Sequence, residues 1–483
     1  MTIPSMPNDY PEGSFSEGVP DCAPAALLAD LEHSGVAYNV TTSERAAHGR
    51  DWWPLSIHDV ANGHVPHWPG VVVSPSSTAD VSEVLRIAGE HHIAVTAQGG
   101  RSGVEGGAVA PTGAIALDMT NLNQVVSIDA VSGTVKVEAG TFGPELEACV
   151  REHGWTVGHF PQSFDLATVG GWIACRGAGQ YSNRYGKIED IVRGLTVVLA
   201  NGNVVELGGH APRQAVGPDL MQLFVGCEGT LGVITEATLA MHPVPAYEQR
   251  AAYGFDTFAD GLEACRRIMQ RDARPAVLRL YDETETLRNF EVPQCALIVL
   301  DEGDQLLVNA TMEIVREECA EAMTLDPSLV DTWIAHRNDV SALAPLWEHG
   351  IVVDTIEVAG AWSTLTSMHE QVVTALTSLK DVLVASVHQS HAYTDGACLY
   401  FTFAGKPEGD HVAFYREAWD EASRTVLACG GALSHHHGVG RNRARFVTEA
   451  LGSAYPLLVS LKAMFDPHDI LNPGVLGIGG EPW

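Results

Sequence analysis

Gln98-Gly99-Gly100-Arg101-Ser102-Gly103-Val104-Glu105-Gly106-Gly107 follows directly on the apolar run Ile93-Ala94-Val95-Thr96-Ala97. A short apolar run rich in β-branched residues reads as a buried strand. Glycines at its exit permit positive φ and let backbone N–H groups come close to a phosphate oxygen. The spacing is neither Gly-x-Gly-x-x-Gly nor a Walker A loop, so it supports neither a standard dinucleotide fold nor an NTPase. Alone, the loop reads equally well as a tight turn. Two more stretches change that. Thr168-Val169-Gly170-Gly171-Trp172-Ile173-Ala174 and Cys227-Glu228-Gly229-Thr230-Leu231-Gly232-Val233-Ile234-Thr235 also set small residues between apolar flanks. Three such loops, far apart along the chain, point to one long phosphate-bearing cofactor threaded between two subdomains.

Outward from the first loop, Val71 to Ser74 reads as a strand ending at Pro75, and Thr78 to about His92 as a helix. With Ile93–Ala97 they make a βαβ-like unit. Ala25 to His33 has helical spacing, with Pro24 suited to the first helical position. Ile115–Asp118 and Thr134–Gly140 are further strands, and Pro144–His153 a helix. Leu195–Leu199 and Val204–Leu207 form a hairpin through Asn201-Gly202. Pro243-Val244-Pro245 marks a domain boundary. Beyond it, strand candidates Ala276–Tyr281, Ala296–Leu300 and Leu399–Phe403 alternate with amphipathic helices Phe258–Arg271, Gln305–Ala320 and Ala413–Ala428. That pattern is an α+β domain.

The 483 residues fit two domains. A formal charge of −32 argues against a nucleic-acid or anionic-membrane surface. An anionic small-molecule substrate must then be met by locally placed Arg or Lys. The cysteines are scattered without a Cys-x-x-Cys pair, which excludes a disulfide framework and a structural zinc motif and fits the cytoplasm. Met1 to Val19 is polar and rich in Pro, Gly and Ser, as in a mobile tail. No apolar run reaches membrane-spanning length, so no integral membrane association is expected.

Ser434-His435-His436-His437-Gly438-Val439-Gly440 adds the chemistry. Histidine titrates nearest neutral pH, so the run offers acid/base groups or metal ligands. A merely polar tract is the alternative.

In this order the segments resemble the vanillyl-alcohol-oxidase superfamily of FAD proteins, over about Pro69–Pro243 and again Gly430–Gly474. The resemblance implies an α+β protein. A tail (1–20) and a helical segment (21–66) precede a two-subdomain, PCMH-type FAD domain (67–245). A cap with an antiparallel sheet (246–429) and a C-terminal segment returning to the FAD domain (430–483) follow. Gly99, Gly100, Arg101, Ser102, Gly103 and Val104 would hold the pyrophosphate. Ser163, Thr168, Gly170 and Gly171 would line the flavin and diphosphate side. Glu228, Gly232, Val233 and Ile234 would lie along the ribityl and adenine side. The pyrophosphate loop has neither His nor Cys, so FAD is expected to be non-covalent.

Arg184–Val192, Gly217–Leu220, Leu278–Asp282, Asp395–Phe401, Arg45–Gly49 and the His run are similar to the alkyldihydroxyacetonephosphate synthase branch. That branch acts at flavin N5 on an acyl-bearing phosphate ester. A carboxylate leaves, a fatty alcohol enters, and no net redox occurs. The resemblance implies Tyr400 and His436 as proton-transfer groups, His435 and His437 beside them, and Arg279 gripping the anionic end. The branch's second anion-binding Arg falls near Leu343; the nearest Arg is Arg337, the candidate replacement. The alternative function is an FAD oxidase or dehydrogenase of a 2-hydroxy acid or alcohol. Metal-dependent relatives of that kind carry His-x-x-Asp-Gly-Asn-x-His and Glu-His-Gly. Tyr400 and His436 stand at two of those ligand positions, so no metal is expected, although His388, His391, His436 and His437 remain as a ligand set. A homodimer is compatible with the sequence.

Overall fold

A computed structural model describes residues 18–209, 211–339 and 344–480. Most of the expected tail, and the position near Leu343, lie outside the described residues. The first sheet has four strands. Val71–Ser74, Ile115–Asp118 and Val95–Gln98 run parallel, with Ala37–Asn39 antiparallel at the edge. Val71 to Val73 are all buried, as a parallel strand covered on both faces requires. The helix Thr78–His91 is capped by the Ser77 hydroxyl, which accepts the Asp80 N–H. The expected βαβ unit is corrected in one respect: Ile115–Asp118 lies between its two strands. Pro24 is likewise the N-cap of Ala25–Ser34, one place before the first helical residue.

The second sheet is antiparallel, in the order Val125–Asp129, Thr134–Glu138, Val233–Ala240, Val192–Val198, Val204–Gly208. Its last two strands are the expected hairpin, with Val198 opposite Val204 and Gly202 at φ +81° in the turn.

The third sheet, seven-stranded and antiparallel, begins with Tyr247–Phe255. Its order is Met323–Leu325, Tyr247–Phe255, Cys295–Gly303, Val277–Tyr281, Val382–Ala392, Gly396–Gly405, Val352–Ala361. Helices Phe258–Gln270, Gln305–Glu318, Trp362–Ser378 and His411–Ala428 cover one face, burying Leu280, Leu297, Phe401 and Phe403. On the strand Val277–Tyr281 alternation sends Leu278 and Leu280 to that core. Val277 and Tyr281 join Tyr181, Tyr185 and Trp333 in another cluster. Val352–Ala361 and Val382–Ala392 were not read as strands. Asp354, Glu357, His388, Gln389 and His391 interrupt their apolar pattern, and all are buried.

The C-terminal segment joins the sheets. Ala432 N–H donates to Ala359 O (2.7 Å) on the third sheet's edge. Farther on, Val95 N–H donates to Ile470 O (2.6 Å) and Asn472 N–H to Val95 O (2.9 Å), extending the first sheet. The buried Lys462 amine donates to Asp466 (2.6 Å) and to the carbonyls of Thr230 and Leu471. The His run therefore lies on a strap tied at both ends. No helix among the described residues is long and apolar enough to cross a membrane.

Candidate active site

The loop after Val95–Gln98 is anchored by Trp52 N–H on Gly103 O (2.9 Å) and by the Gln98 amide on Ala108 O (2.6 Å). Arg101 sits at φ +54°, and among the described residues the N–H groups from Gly100 to Val104 have no protein acceptor. N–H groups left open in such a turn are available to an anion. The first glycines of the loop are tightly packed. A Cβ on Gly99 would lie 2.1 Å from Thr168 Oγ1, and one on Gly100 1.6 Å from Leu166 O. These two glycines let the first loop touch the chain at Leu166 and Thr168. Gly170 and Gly232 likewise serve protein packing, against Ala139 and Val197. A Cβ on Gly103 or Gly171 would meet only ordinary contacts, with Asp51 at 3.7 Å and Thr168 at 3.4 Å.

The other expected cofactor positions also make contacts within the protein. The Arg101 guanidinium is taken by the Ala47 carbonyl. Thr168 Oγ1 caps Val169–Ala174, and the Ser163 carbonyl closes a turn with Leu166 and Ala167. Ser102 and Val104 are half-buried, while Val233 and Ile234 are core side chains. Glu228 accepts the Val439 and Gly440 N–H groups, each at 2.7 Å, and so holds the strap after the His run. Burial pushes its carboxyl up to about 7.

Polar atoms left unmatched by the protein test the fit of FAD. Thr141 Oγ1, Trp172 Nε1 and both ring nitrogens of His159 are buried without a hydrogen-bond partner. His159 is 1% exposed and lies 4.8 Å from Trp172, centroid to centroid. Burial lowers it to about 3, so it is neutral. Orphans of this kind cost roughly 1–3 kcal/mol each unless a ligand meets them. Beside the open N–H loop they fit a long polar cofactor. His159 and Trp172 had not been singled out; the signal was a histidine alone in the stretch Trp155–Phe160.

Strand register builds the acid/base cluster. Tyr400 is paired across the sheet with Glu357 on one side and His388 on the other. Its ring stacks on His388 (4.7 Å between centroids) and lies 5.4 Å from His437 and 6.1 Å from His436. Burial pushes the Tyr400 phenol up, so it stays protonated. Burial also lowers His435 and His437 to about 4 and His436 well below its ordinary value. All three are neutral imidazoles at physiological pH.

One carboxylate organises the run. Glu357 accepts Ser434 Oγ–H (2.9 Å) and the N–H groups of His435 (3.0 Å), His436 (3.1 Å) and His437. Its other partner is Arg443 Nη1 (3.0 Å), while Arg443 Nη2 reaches Glu105 (2.9 Å) within the first loop. Arg443 and Glu357 are fully buried. Burial alone pushes the Glu357 carboxyl up; Arg443, His437 and the backbone donors outweigh it and hold it at about 2. Glu357, Glu105 and Arg443 were absent from the sequence expectations. A lone Glu inside an apolar strand was the available clue.

Arg279 Nη2 donates to His388 Nε2, so His388 donates Nδ1–H to Glu285 (2.7 Å). Burial, and then the Arg279 charge, lower His388 to about 4. The Arg279 guanidinium lies 5.9 Å from the Trp333 ring, and Arg337 lies 5.6 Å from the same ring and 5.0 Å from Tyr181. Arg337 Nη1 donates to Gln180 (2.8 Å). Among the described residues neither guanidinium has a carboxylate within 4.0 Å. The structure thus brings both candidate anion-binding arginines to one tryptophan. The ligand set left open in the sequence is regrouped: His391, Cys398, His435 and His436 place their donor atoms within 4.8 Å of one another, without His388 or His437.

Comparison with known proteins agrees with this geometry. The FAD binding domain model matches residues 69–208, and the C-terminal domain model of FAD linked oxidases matches 244–476. An uncharacterised FAD-linked oxidoreductase of Escherichia coli is 33% identical, over 84% of this chain and 89% of that protein. Alkyldihydroxyacetonephosphate synthase of Dictyostelium discoideum is 30% identical, over 85% of this chain and 74% of the synthase. A solved alkyldihydroxyacetonephosphate synthase structure superposes with a TM-score of 0.80 at 26% identity, covering 95% of this chain and 87% of that one. Cofactor loop, cap and strap all lie within these matches, so the chain belongs to the FAD-linked oxidase family and its cofactor is FAD.

Proposed function

We propose that the protein is an alkyldihydroxyacetonephosphate-synthase-like enzyme acting on an anionic, acyl-bearing substrate, with FAD held non-covalently. The reading is carried by the two guanidiniums on Trp333, without a carboxylate partner among the described residues of a chain of charge −32, beside neutral imidazoles and a protonated phenol. FAD, when bound, supplies an electron-accepting ring. Gly100 to Val104 would take its pyrophosphate through backbone N–H groups. Arg279 and Arg337 bind the substrate's anionic end; a planar guanidinium matches an oxyanion through two parallel N–H bonds. Neutral His436 is available to take a proton from the substrate carbon. Protonated Tyr400 donates a hydrogen bond to the departing oxygen. The reaction needs no metal, so chelation does not lower turnover.

The second reading is net oxidation of a 2-hydroxy acid or alcohol, favoured by the Escherichia coli relative's description as an oxidoreductase. Anaerobic mixing of flavin-loaded protein separates the two. Carboxylate release from an acyl-dihydroxyacetone phosphate without lasting bleaching supports the first. Bleaching by D-2-hydroxy acids, with no such release, replaces it by the second.

A further inference from the structure

His391 and Cys398 are buried and His435 and His436 half-buried, and their four donor atoms lie within 4.8 Å of one another. The arrangement rests on two protein segments. His391 and Cys398 are cross-strand partners on the third sheet. His435 and His436 come from the strap, with ring centroids 4.8 and 5.0 Å from His391. Three imidazoles and one thiol are the soft and borderline donors of a tetrahedral zinc centre, not the oxygen set that calcium or magnesium needs.

Hydrogen bonds around the cluster set the tautomer of His391 and hold the far nitrogen of His435. His391 donates Nε2–H to the Gly179 carbonyl (3.1 Å), leaving Nδ1 as a lone pair that a Ser390 hydroxyl now meets (2.7 Å). His435 Nε2 is bonded to the Tyr393 hydroxyl (2.5 Å). Metal-ligating histidines are held in this manner, the far ring nitrogen fixed by a carbonyl or another polar group. The near nitrogens, His435 Nδ1 and His436 Nδ1, lie 2.8 Å apart and share one proton. A cation can stand where that proton stands once His435 carries the proton on Nε2 instead, donating it to the Tyr393 hydroxyl, and His436 carries its own on Nε2. The two half-buried histidines give the route in from solvent, and the chain's charge of −32 favours a cation.

We propose that His391, Cys398, His435 and His436 form a binding site for one zinc ion. On binding, the Cys398 thiol becomes a thiolate, a zinc–sulfur bond forms, and its proton goes to solvent. The site has no part in the reaction of the preceding section but shares His436 with it. Occupancy withdraws the His436 lone pair that proton transfer uses, so zinc acts as an inhibitor; that consequence alone rests on the proposed function.

Binding is measured without turnover, so the two ideas fail separately. Flavin-loaded protein is stripped with a chelator, dialysed, and titrated calorimetrically with zinc. A parallel titration with cobalt is read by its ligand-field bands, at longer wavelength than flavin absorption. One ion per chain and an intense tetrahedral cobalt spectrum with thiolate character are expected. Cys398→Ser and His435→Gln should each weaken binding by about 10-fold or more, the scale seen when a metal site loses support. If Cys398→Ser misfolds, as flavin content and thermal midpoint would reveal, the half-buried His435→Gln carries the test. No binding, an octahedral cobalt spectrum, or an affinity that a folded variant leaves unchanged overturns the site.

Discussion

Replacing Glu357 by Gln tests whether one buried carboxylate holds the histidine run in place. Glu357 Oε1 receives Ser434 Oγ–H and the N–H groups of His436 and His437; Oε2 receives His435 N–H and Arg443 Nη1. Gln keeps the volume and an acceptor oxygen for the first group. Its NH₂ then confronts His435 N–H and Arg443, donor against donor. Two buried donors left unmet cost about 1–3 kcal/mol each. Arg443 keeps Glu105, so the total should be about 3–5 kcal/mol, the usual cost of breaking a buried pair. A protein of ordinary stability survives that loss. Thermal unfolding at neutral pH should show a clear drop in midpoint with flavin content unchanged. Turnover should fall about 10²-fold, the effect of a small misplacement of catalytic groups. The pH dependence gives a second check. The wild-type carboxyl is held at about 2, below its ordinary 4.5, so its contribution is present above pH 4.5 and lost as pH falls toward 2. The gap between wild type and Glu357→Gln should therefore narrow in acid. A variant that unfolds at the wild-type temperature at neutral pH and turns over normally would refute the positioning role.

Tyr400→Phe and His436→Ala should each lower turnover by about 10²-fold or more without loss of flavin, and near-normal rates in both would return the cluster to a structural role. Arg279→Lys keeps the charge but loses the two-pronged grip, so steady-state kinetics should show KM rising more than kcat falls. Acid precipitation should release the flavin into the supernatant; colour retained in the pellet would show a covalent bond. Burial raises Glu228 from its ordinary 4.5 to about 7, so its neutral form favours folding at low pH and that advantage is lost as pH rises from about 4.5 to 7. Glu228→Gln should make the fall of thermal midpoint across that window shallower, and an unchanged slope would show that Glu228 does not titrate there.

By itself the sequence determined most elements of the first two sheets and the class of cofactor. Val71–Ser74, Ile115–Asp118 and the 195–207 hairpin were legible because burial of one or both strand faces leaves a periodic apolar pattern, and the turn is marked by Asn-Gly. The glycine loops marked a long phosphate-bearing cofactor because close approach of backbone leaves few residue choices, and their order resembles that of FAD proteins. The His run and Tyr400 stood out because such chemistry is unusual in those contexts. Tertiary structure alone decided what each glycine and carboxylate does. Gly100 is small because Leu166 lies against it, and Glu228 faces the strap; both are contacts between segments far apart in the chain. Val352–Ala361 and Val382–Ala392 were missed for the reason that makes them useful. Their polar residues break the apolar period, and only the folded sheet shows Glu357, His388 and His391 buried with partners drawn from other strands and loops. The same holds for Arg337 beside Trp333 and for Cys398 beside the histidines. Local pattern reports which face a residue turns inward. The identity of the group it meets there depends on strand register and on the return of the strap, and neither is written in the local sequence.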